Sequence, residues 1–152
     1  MKIIKSIQEL RDTLKTFRRE GKTIGLVPTM GALHRGHASL IDASSARADI
    51  TVVSVFVNPI QFGKNEDLDK YPRRLEADSE LANAHGASII FAPTAEEMYP
   101  NGEPETYVRN KPLESLYCGS YRPGHFRGVL TVVAKLFLIC LPDFAFFGEK
   151  DY

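Results

Sequence analysis

The stretch "DITVVSVFVN", residues 49–58, constrains this chain more than any other. From Ile50 to Val57 it is β-branched or aromatic at every position except Ser54. A strand with one wet face would alternate apolar and polar residues. This one does not, so both of its faces must be covered, as for a central strand of a parallel sheet with helices on either side. Parallel neighbours need crossover connections of a dozen residues or more, usually helical. A chain built around such a strand should therefore alternate strands with amphipathic helices.

The flanking sequence meets that demand. "KTIGLVPT" (22–29), "ASIIFAP" (87–93) and "DFAFFGEKDY" (143–152) read as further strands, the last running into a turn. "SIQELRDTLKTFRREG" reads as a helix. Ser6 and Glu9 form a capping-box pattern, Ile7, Leu10, Leu14 and Phe17 make one apolar face, and Gly21 supplies the stop. "HASLIDASSARA" predicts a second helix with Leu40 and Ile41 inward, and "LEADSELANAHG" a third ending at Gly86. "RGVLTVVAKLFLICLP" predicts a long apolar helix ended by Pro142, and "ETYVR" (105–109) a short strand. The segment "PIQFGKNEDLDKYPRR" has turn formers, charges and little periodicity, and reads as a long loop of the kind that forms lids or binding surfaces. The order β-α-β-α-β…α-β implies an α/β domain, a Rossmann-like doubly wound parallel sheet. No repeat, low-complexity tract or linker interrupts the 152 residues, which suit one domain.

Composition removes several function classes. Lys plus Arg and Asp plus Glu number 19 each, for zero net charge, so the excess of cations that a general nucleic-acid binder needs is missing. A local basic pocket for a small anion remains open. Cys118 and Cys140 are far apart and form no CxxC, which points to free thiols in a reducing cytosol. The N-terminus turns polar within a few residues, so no signal peptide is expected. The longest apolar run carries Lys135 in its middle and is too short to span a bilayer. A soluble, cytoplasmic protein without membrane association is expected.

Three polar clusters follow predicted strands: "PTMGALHRGH", "NPIQFG" and "GEKD". Strand-end loops of an open α/β sheet converge on one edge, where ligands bind. In the first cluster, Gly31 admits close backbone approach, and Gly36 opens a helix whose N-terminal N–H groups suit phosphate. His34 and His37, three apart, can share one side of the first turn and donate to phosphate oxygens. Two other readings stand beside this one: ordinary structural histidines, or an HxxH metal pair, for which a third ligand is wanting because His85 and His125 are distant in sequence. In the second cluster, Asn58 and Gln61 are uncharged amides able to orient a hydroxyl or a carboxylate; Asn-Pro is also a common turn starter. In the third, Lys150 offers a cation for phosphate and Asp151 a carboxylate for a ribose or a metal, or both belong to a solvated turn. Arg122, His125 and Arg127 in "RPGHFRGV" make a compact basic patch that can grip an anion or pair with a carboxylate such as Glu114. Val132 and Val133 read most simply as core, although the first turn of that helix can also wall a small aliphatic substrate.

Taken together, "PTMGALHRGH", "VSVFVNPIQFG", "DLDKYPR", "FAP", "EMYPNG", "RPGHFRGV" and "FFGEKDY" stand in the order and spacing of the pantothenate synthetase (pantoate–β-alanine ligase) family, and the resemblance covers the whole chain. HxGH by itself resembles only the wider HIGH-motif nucleotidyltransferase superfamily. The family resemblance implies ATP-dependent condensation of pantoate with β-alanine through a pantoyl adenylate, releasing AMP and pyrophosphate, with Mg²⁺ accompanying ATP and no dedicated protein metal cage. It implies ATP contacts from Met30, Gly31, Ala32, Leu33, His34, Arg35, Gly36 and His37, and from Gly148, Glu149, Lys150 and Asp151, the last near the ribose. His37, as proton donor, His34 and Lys150 would be the catalytic group. Gln61 would hold pantoate and β-alanine, Asn58 and Tyr71 would add polar contacts, Val132 and Val133 would pack the pantoate methyls, and the loop from Gly63 to Arg74 would gate the site. The family is usually homodimeric through this domain.

The resemblance also implies more chain. The family continues with two glutamines, one a pantoate ligand, and a smaller C-terminal domain whose Ser/Arg loop closes over the ATP phosphates. Residues 1–152 correspond to its N-terminal ATP- and pantoate-binding domain without that lid, and weak or absent ligase activity is expected of them alone, because water exclusion would be poor. Two alternatives stay open: another adenylyl or cytidylyl transferase of the superfamily with a different acceptor, and a ligand-binding module without catalysis.

Overall fold

The structure is a computed structural model, and it describes residues 1–63, 71–72, 74–112, 122 and 124–149. Its strands are β1 (Lys2–Ile4), β2 (Ile24–Thr29), β3 (Ile50–Val55), β4 (Ile89–Phe91) and β5 (Phe144–Ala145). Its helices are α1 (Ile7–Arg19), α2 (Arg35–Ser45), α3 (Leu75–Ala84), the single turn α4 (Ala95–Met98) and α5 (His125–Cys140); Pro59–Gln61 forms a 3-10 turn. The five strands lie in the order β1-β4-β3-β2-β5 and every pairing is parallel.

The run that demanded two covered faces is covered on both. In β3, Ile50 through Ser54 are all buried, with β2 on one side and β4 on the other. Successive side chains of a strand point to opposite faces. Val52 accordingly joins the layer containing Leu26, Leu10, Leu14, Leu136 and Ile139, under α1 and α5, while Val53 joins Val27, Ile41 and Ala82, under α2 and α3. Helices on both faces of an all-parallel sheet make the doubly wound Rossmann-like arrangement that the strand–helix alternation implies.

Local chemistry sets the helix ends. The Ser6 hydroxyl accepts from the Glu9 N–H at 3.4 Å, and Glu20 leads into Gly21 at φ +76°. α5 ends at Cys140, with Leu141 in the left-handed region. The Arg18 guanidinium donates to the carbonyls of Cys140 and Leu141, so a cation from the last turn of α1 caps the negative end of α5.

Several details depart from expectation. Residues 105–109 form no strand. Val108 N–H donates to Thr131 Oγ1 at 3.0 Å and the Tyr107 ring packs under Arg127, so this segment lies along α5. Its β-prone residues, Thr106, Tyr107 and Val108, find a helix rather than a neighbouring strand to pack on. β1 and α4 are additional to the expected elements, and α5 starts two residues before Arg127. Ile41 is buried as expected, but Leu40 is only partly so; Ala38 and Ser44 complete the inner face of α2. No helix among the described residues is long and apolar enough to cross a membrane.

The topology locates the crevice. From β2 the chain winds through α2 to β3 on one side, whereas β5 sits on the other side of β2. The winding thus reverses between β2 and β5, and the carboxyl ends of these strands open onto the switch point where doubly wound sheets take their ligands.

Candidate functional site

The loop from Thr29 to His37 leaves the carboxyl end of β2 at that switch point. Thr29 Oγ1 donates to Ser54 O at 2.6 Å and accepts from Gly31 N–H at 3.1 Å, which starts the turn. The turn then passes through the left-handed region twice, at Gly31 (φ +86°) and at Ala32 (φ +51°). Glycine adopts this conformation at little cost, but alanine does so only when something holds it. The holder is Asp78 on α3, 3% exposed, whose two carboxylate oxygens accept from Ala32 N–H at 3.0 Å and Leu33 N–H at 2.7 Å.

The two histidines cap α2. His34 is the N-cap, and its Nδ1 accepts from Gly36 N–H at 3.1 Å; His37, three residues on, turns its Nδ1 back toward His34 N–H at 3.4 Å. The rings lie 4.1 Å apart, tilted by 38°. An Nδ1 that accepts a hydrogen bond leaves the ring proton of a neutral imidazole on Nε2. The structural reading of these histidines is therefore correct for one nitrogen of each ring, and the functional reading concerns the other. With both Nδ1 atoms engaged in the cap, only the two Nε2 atoms could serve as HxxH metal ligands, and among the described residues no group of three His, Cys, Asp or Glu gathers.

The 3-10 turn after β3 is buried. Asn58 and Gln61 are 1% and 6% exposed. The Asn58 amide donates to Gln61 Oε1 at 3.0 Å and to Gly128 O at 3.2 Å, and its oxygen accepts from the Tyr99 hydroxyl at 2.8 Å. Asn58 is thus spent on holding Gln61. Burial pushes the Tyr99 phenol up to about 12, keeping it a donor. The Lys135 ammonium sits 4.7 Å above the Tyr99 ring and donates to Met98 O, and burial lowers its pKa. Gly128 lets α5 close on the turn, since a Cβ there would stand 2.6 Å from Gln61 Cα. His125 Nδ1 donates to Gln61 O at 3.0 Å, leaving Nε2 to receive Arg122 at 3.2 Å.

The first two clusters meet at Met30. Gln61 Nε2 donates to its sulfur at 2.9 Å, so the side chain that would read a carboxylate touches the loop that leads into the phosphate-type helix end. Tyr71 stands edge-on to Phe62, 6.1 Å between centroids, and its pKa is raised by burial and then by the charge of Asp78, which puts it within electrostatic reach of the same loop. Phe146 N–H donates to Leu26 O at 2.9 Å, extending the β5 register toward Gly148 beside β2. Glu149 is exposed. Lys150 and Asp151, and positions 64–70 and 73 of the expected gate, lie outside the described residues, as does Glu114.

The basic patch divides. His125 bonds the Gln61 backbone and is met from its other ring nitrogen by Arg122, whereas Arg127 stacks 4.2 Å over Tyr107 and pairs with Glu103 at 3.9 Å. Val132 is core, 7% exposed, and Val133 packs half-buried beside it. Asp78 and Tyr99 escaped the sequence reading. The available signal for Asp78 was a carboxylate on the face of α3 that Leu75 and Ala82 bury. Tyr99 follows a helix of one turn and carried no such signal.

The family description "Pantoate-beta-alanine ligase" matches residues 2–152. The pantothenate synthetase of Geotalea uraniireducens is 57% identical over 152 residues, covering 100% of this chain and 54% of that protein. That of Pseudomonas putida strain W619 is 56% identical, covering 100% and 53%. A crystal structure of the Thermus thermophilus enzyme superposes with a TM-score of 0.91 at 49% identity, covering 100% of this chain and 53% of that one. The Francisella tularensis pantoate-beta-alanine ligase, crystallised with beta-gamma ATP and beta-alanine, gives a TM-score of 0.89 at 36% identity, covering 95% and 55%. The chain spans about half the length of the relatives it matches. On sequence along its whole length, and on a fold shared with solved members, it belongs to the pantoate-beta-alanine ligase family.

Proposed function

We propose that this chain binds ATP at the N-terminus of α2 and pantoate beside Gln61, and that the protein condenses pantoate with β-alanine to form pantothenate. The observation that carries this reading is the contact from Gln61 Nε2 to Met30 Sδ, which brings a carboxylate-reading amide against the phosphate-reading loop. A pantoate oxygen attacks the α-phosphorus, the bond to the β-phosphate oxygen breaks, and pyrophosphate leaves. The β-alanine amine then attacks the acyl carbon, loses a proton, and AMP departs. Both reactants of the first step are anions, so catalysis rests on positioning and on donors that meet the growing charge.

The Nε2 atoms of His34 and His37, the first-turn N–H groups of α2 and Lys150 are the proposed donors. Met30 to His37 and Gly148 to Asp151 line the nucleotide, with Asp151 at the ribose. Gln61 orients both pantoate and β-alanine, Asn58 holds Gln61, Tyr71 adds a polar contact, and Val133, next to core Val132, faces the pantoate methyls. Mg²⁺ is proposed to arrive on the ATP phosphates, where it would neutralise charge. The HxGH turn at a doubly wound switch point favours placement in the HIGH-motif nucleotidyltransferase superfamily, and family membership favours a cytoplasmic homodimer.

Because the chain spans about half of its relatives, turnover by residues 1–152 alone is proposed to be weak. Pyrophosphate release with ATP, Mg²⁺ and a panel of acceptor acids tests the reading. Slow release that depends on pantoate is expected. Release that favours another acceptor supports a different transferase. ATP binding with no release at any enzyme concentration supports a binding module.

A further inference from the structure

We propose that Asp78 is a positioning residue for nucleotide binding: its carboxylate holds the Ala32–Leu33 backbone in the conformation that aims the α2 N-terminus at ATP. This rests on the ATP site proposed above and adds a residue that touches no substrate. An aspartate close beneath an anion-binding loop is at first sight misplaced, because its charge opposes the ligand's. Its geometry explains the placement. Both oxygens are engaged by successive N–H groups, at 3.0 Å and 2.7 Å, and the residue is 3% exposed. Two charge-assisted bonds to adjacent amides fix the peptide plane between them, as one bond cannot.

The fixed segment is the one that needs fixing. Ala32 sits at φ +51°, a conformation an alanine leaves when released. Gly31 before it is packed so closely that a Cβ would stand 2.9 Å from Asp78 Oδ2 and 3.0 Å from Val55 Cγ1. Two residues further on, His34 caps α2 through Gly36 N–H. The direction of the helix N-terminus and of both imidazoles is therefore set from α3, through one carboxylate. Gln61 is held instead by Asn58, Tyr99 and Gly128, so Asp78 should govern the nucleotide and leave pantoate unaffected.

The variant Asp78→Asn keeps the shape but replaces one acceptor oxygen with an amide donor facing an N–H. Calorimetric titrations of the wild-type chain and the variant with Mg·ATP, and separately with pantoate, test the idea. Expected is a loss of ATP affinity of about tenfold or more with pantoate affinity unchanged. Equal ATP affinity in the two chains overturns the inference while leaving the proposed function standing. A parallel fall in ATP and pantoate affinity also overturns it, since that marks a general structural role. Absence of ATP binding by the wild-type chain overturns the proposed function, and the inference with it. Should Asp78→Asn fail to fold, hydrogen exchange on the wild type decides: the Ala32 and Leu33 amides are expected to be protected without ligand, and rapid exchange at both overturns the inference.

Discussion

His34 is exposed and His37 half-buried at the start of α2, whereas Asn58 and Gln61, at the end of the neighbouring strand, are 1% and 6% exposed. The first region works with backbone N–H groups and ring nitrogens at a helix end; the bonds of its cap are local, within three residues, and one distant carboxylate, Asp78, holds the loop that precedes it. The second works with a neutral amide held by three separate elements: Asn58 before it, Tyr99 after α4, and the Gly128 turn of α5. The difference follows from the ligands proposed for each. A phosphate chain is large and charged, and a helix N-terminus aimed at it receives it through backbone N–H groups alone. A small hydroxy acid is distinguished only by hydrogen bonds of fixed direction, and these require a buried, fully satisfied support.

Substitutions can break this contrast, and the largest effect is expected at the phosphate end. His37→Ala should slow pantoyl adenylate formation by about a hundredfold or more if its Nε2 meets the developing charge. Single-turnover measurement of pyrophosphate release reads this, and an unchanged rate removes His37 from the chemistry. Next comes Gly128→Ala, whose Cβ would collide with the Gln61 backbone. It should cost about 1–3 kcal/mol of stability. It should also weaken pantoate binding more than ATP binding, by calorimetry, because only the Gln61 turn is displaced.

Tyr99→Phe is a milder break. It strands the Asn58 oxygen at a cost of about 1–3 kcal/mol, read from urea midpoints. It also carries a pH signature. Tyr99 and Cys140 are both pushed up to about 12 by burial, from ordinary values near 10 and 9. Each folded group keeps its proton to higher pH than the unfolded one, so the stability it contributes is present below pH 9–10 and is lost as pH rises toward about 12. Tyr99→Phe should remove the tyrosine's share of that alkaline decline. The smallest effect sharpens the comparison most. His34→Asn keeps an N-cap acceptor, its amide oxygen in place of Nδ1, but loses Nε2, so stability should change by less than about 0.5 kcal/mol while ATP affinity falls. A large loss of stability with ATP affinity intact would make His34 a cap and nothing more.

What the sequence disclosed follows the same division. The doubly wound sheet was legible because Ile50–Val55 must be covered on both faces, and that requirement is written in composition alone. The turn proposed to take phosphate was legible as a glycine turn into a helix start because its glycines, imidazoles and cap lie inside ten residues. The support of Gln61 was not, because Tyr99, Gly128 and His125 are distant in sequence from Asn58 and Gln61 and meet them only when α5 packs on the 3-10 turn. β1 was too short for periodicity to register, with Ile3 exposed and Ile4 buried. Glu105–Arg109 misled because Thr106, Tyr107 and Val108 favour extended backbone without naming the partner, which is α5 rather than a strand. Asp78 illustrates the converse: its position on a buried helix face was visible, but its role depends on Ala32, 46 residues away.

The central claim is that the α2 N-terminus and the Gln61 turn are two ends of one site. Nuclear magnetic resonance of the chain titrated with Mg·ATP and then with pantoate tests it most directly. The account predicts that ATP shifts the Gly36 amide and the His34 and His37 rings. Pantoate should then shift the Gln61 side-chain amide and the Met30 methyl, and should bind more tightly once ATP is present. Saturation by both ligands with Gln61 and Met30 unmoved would contradict it.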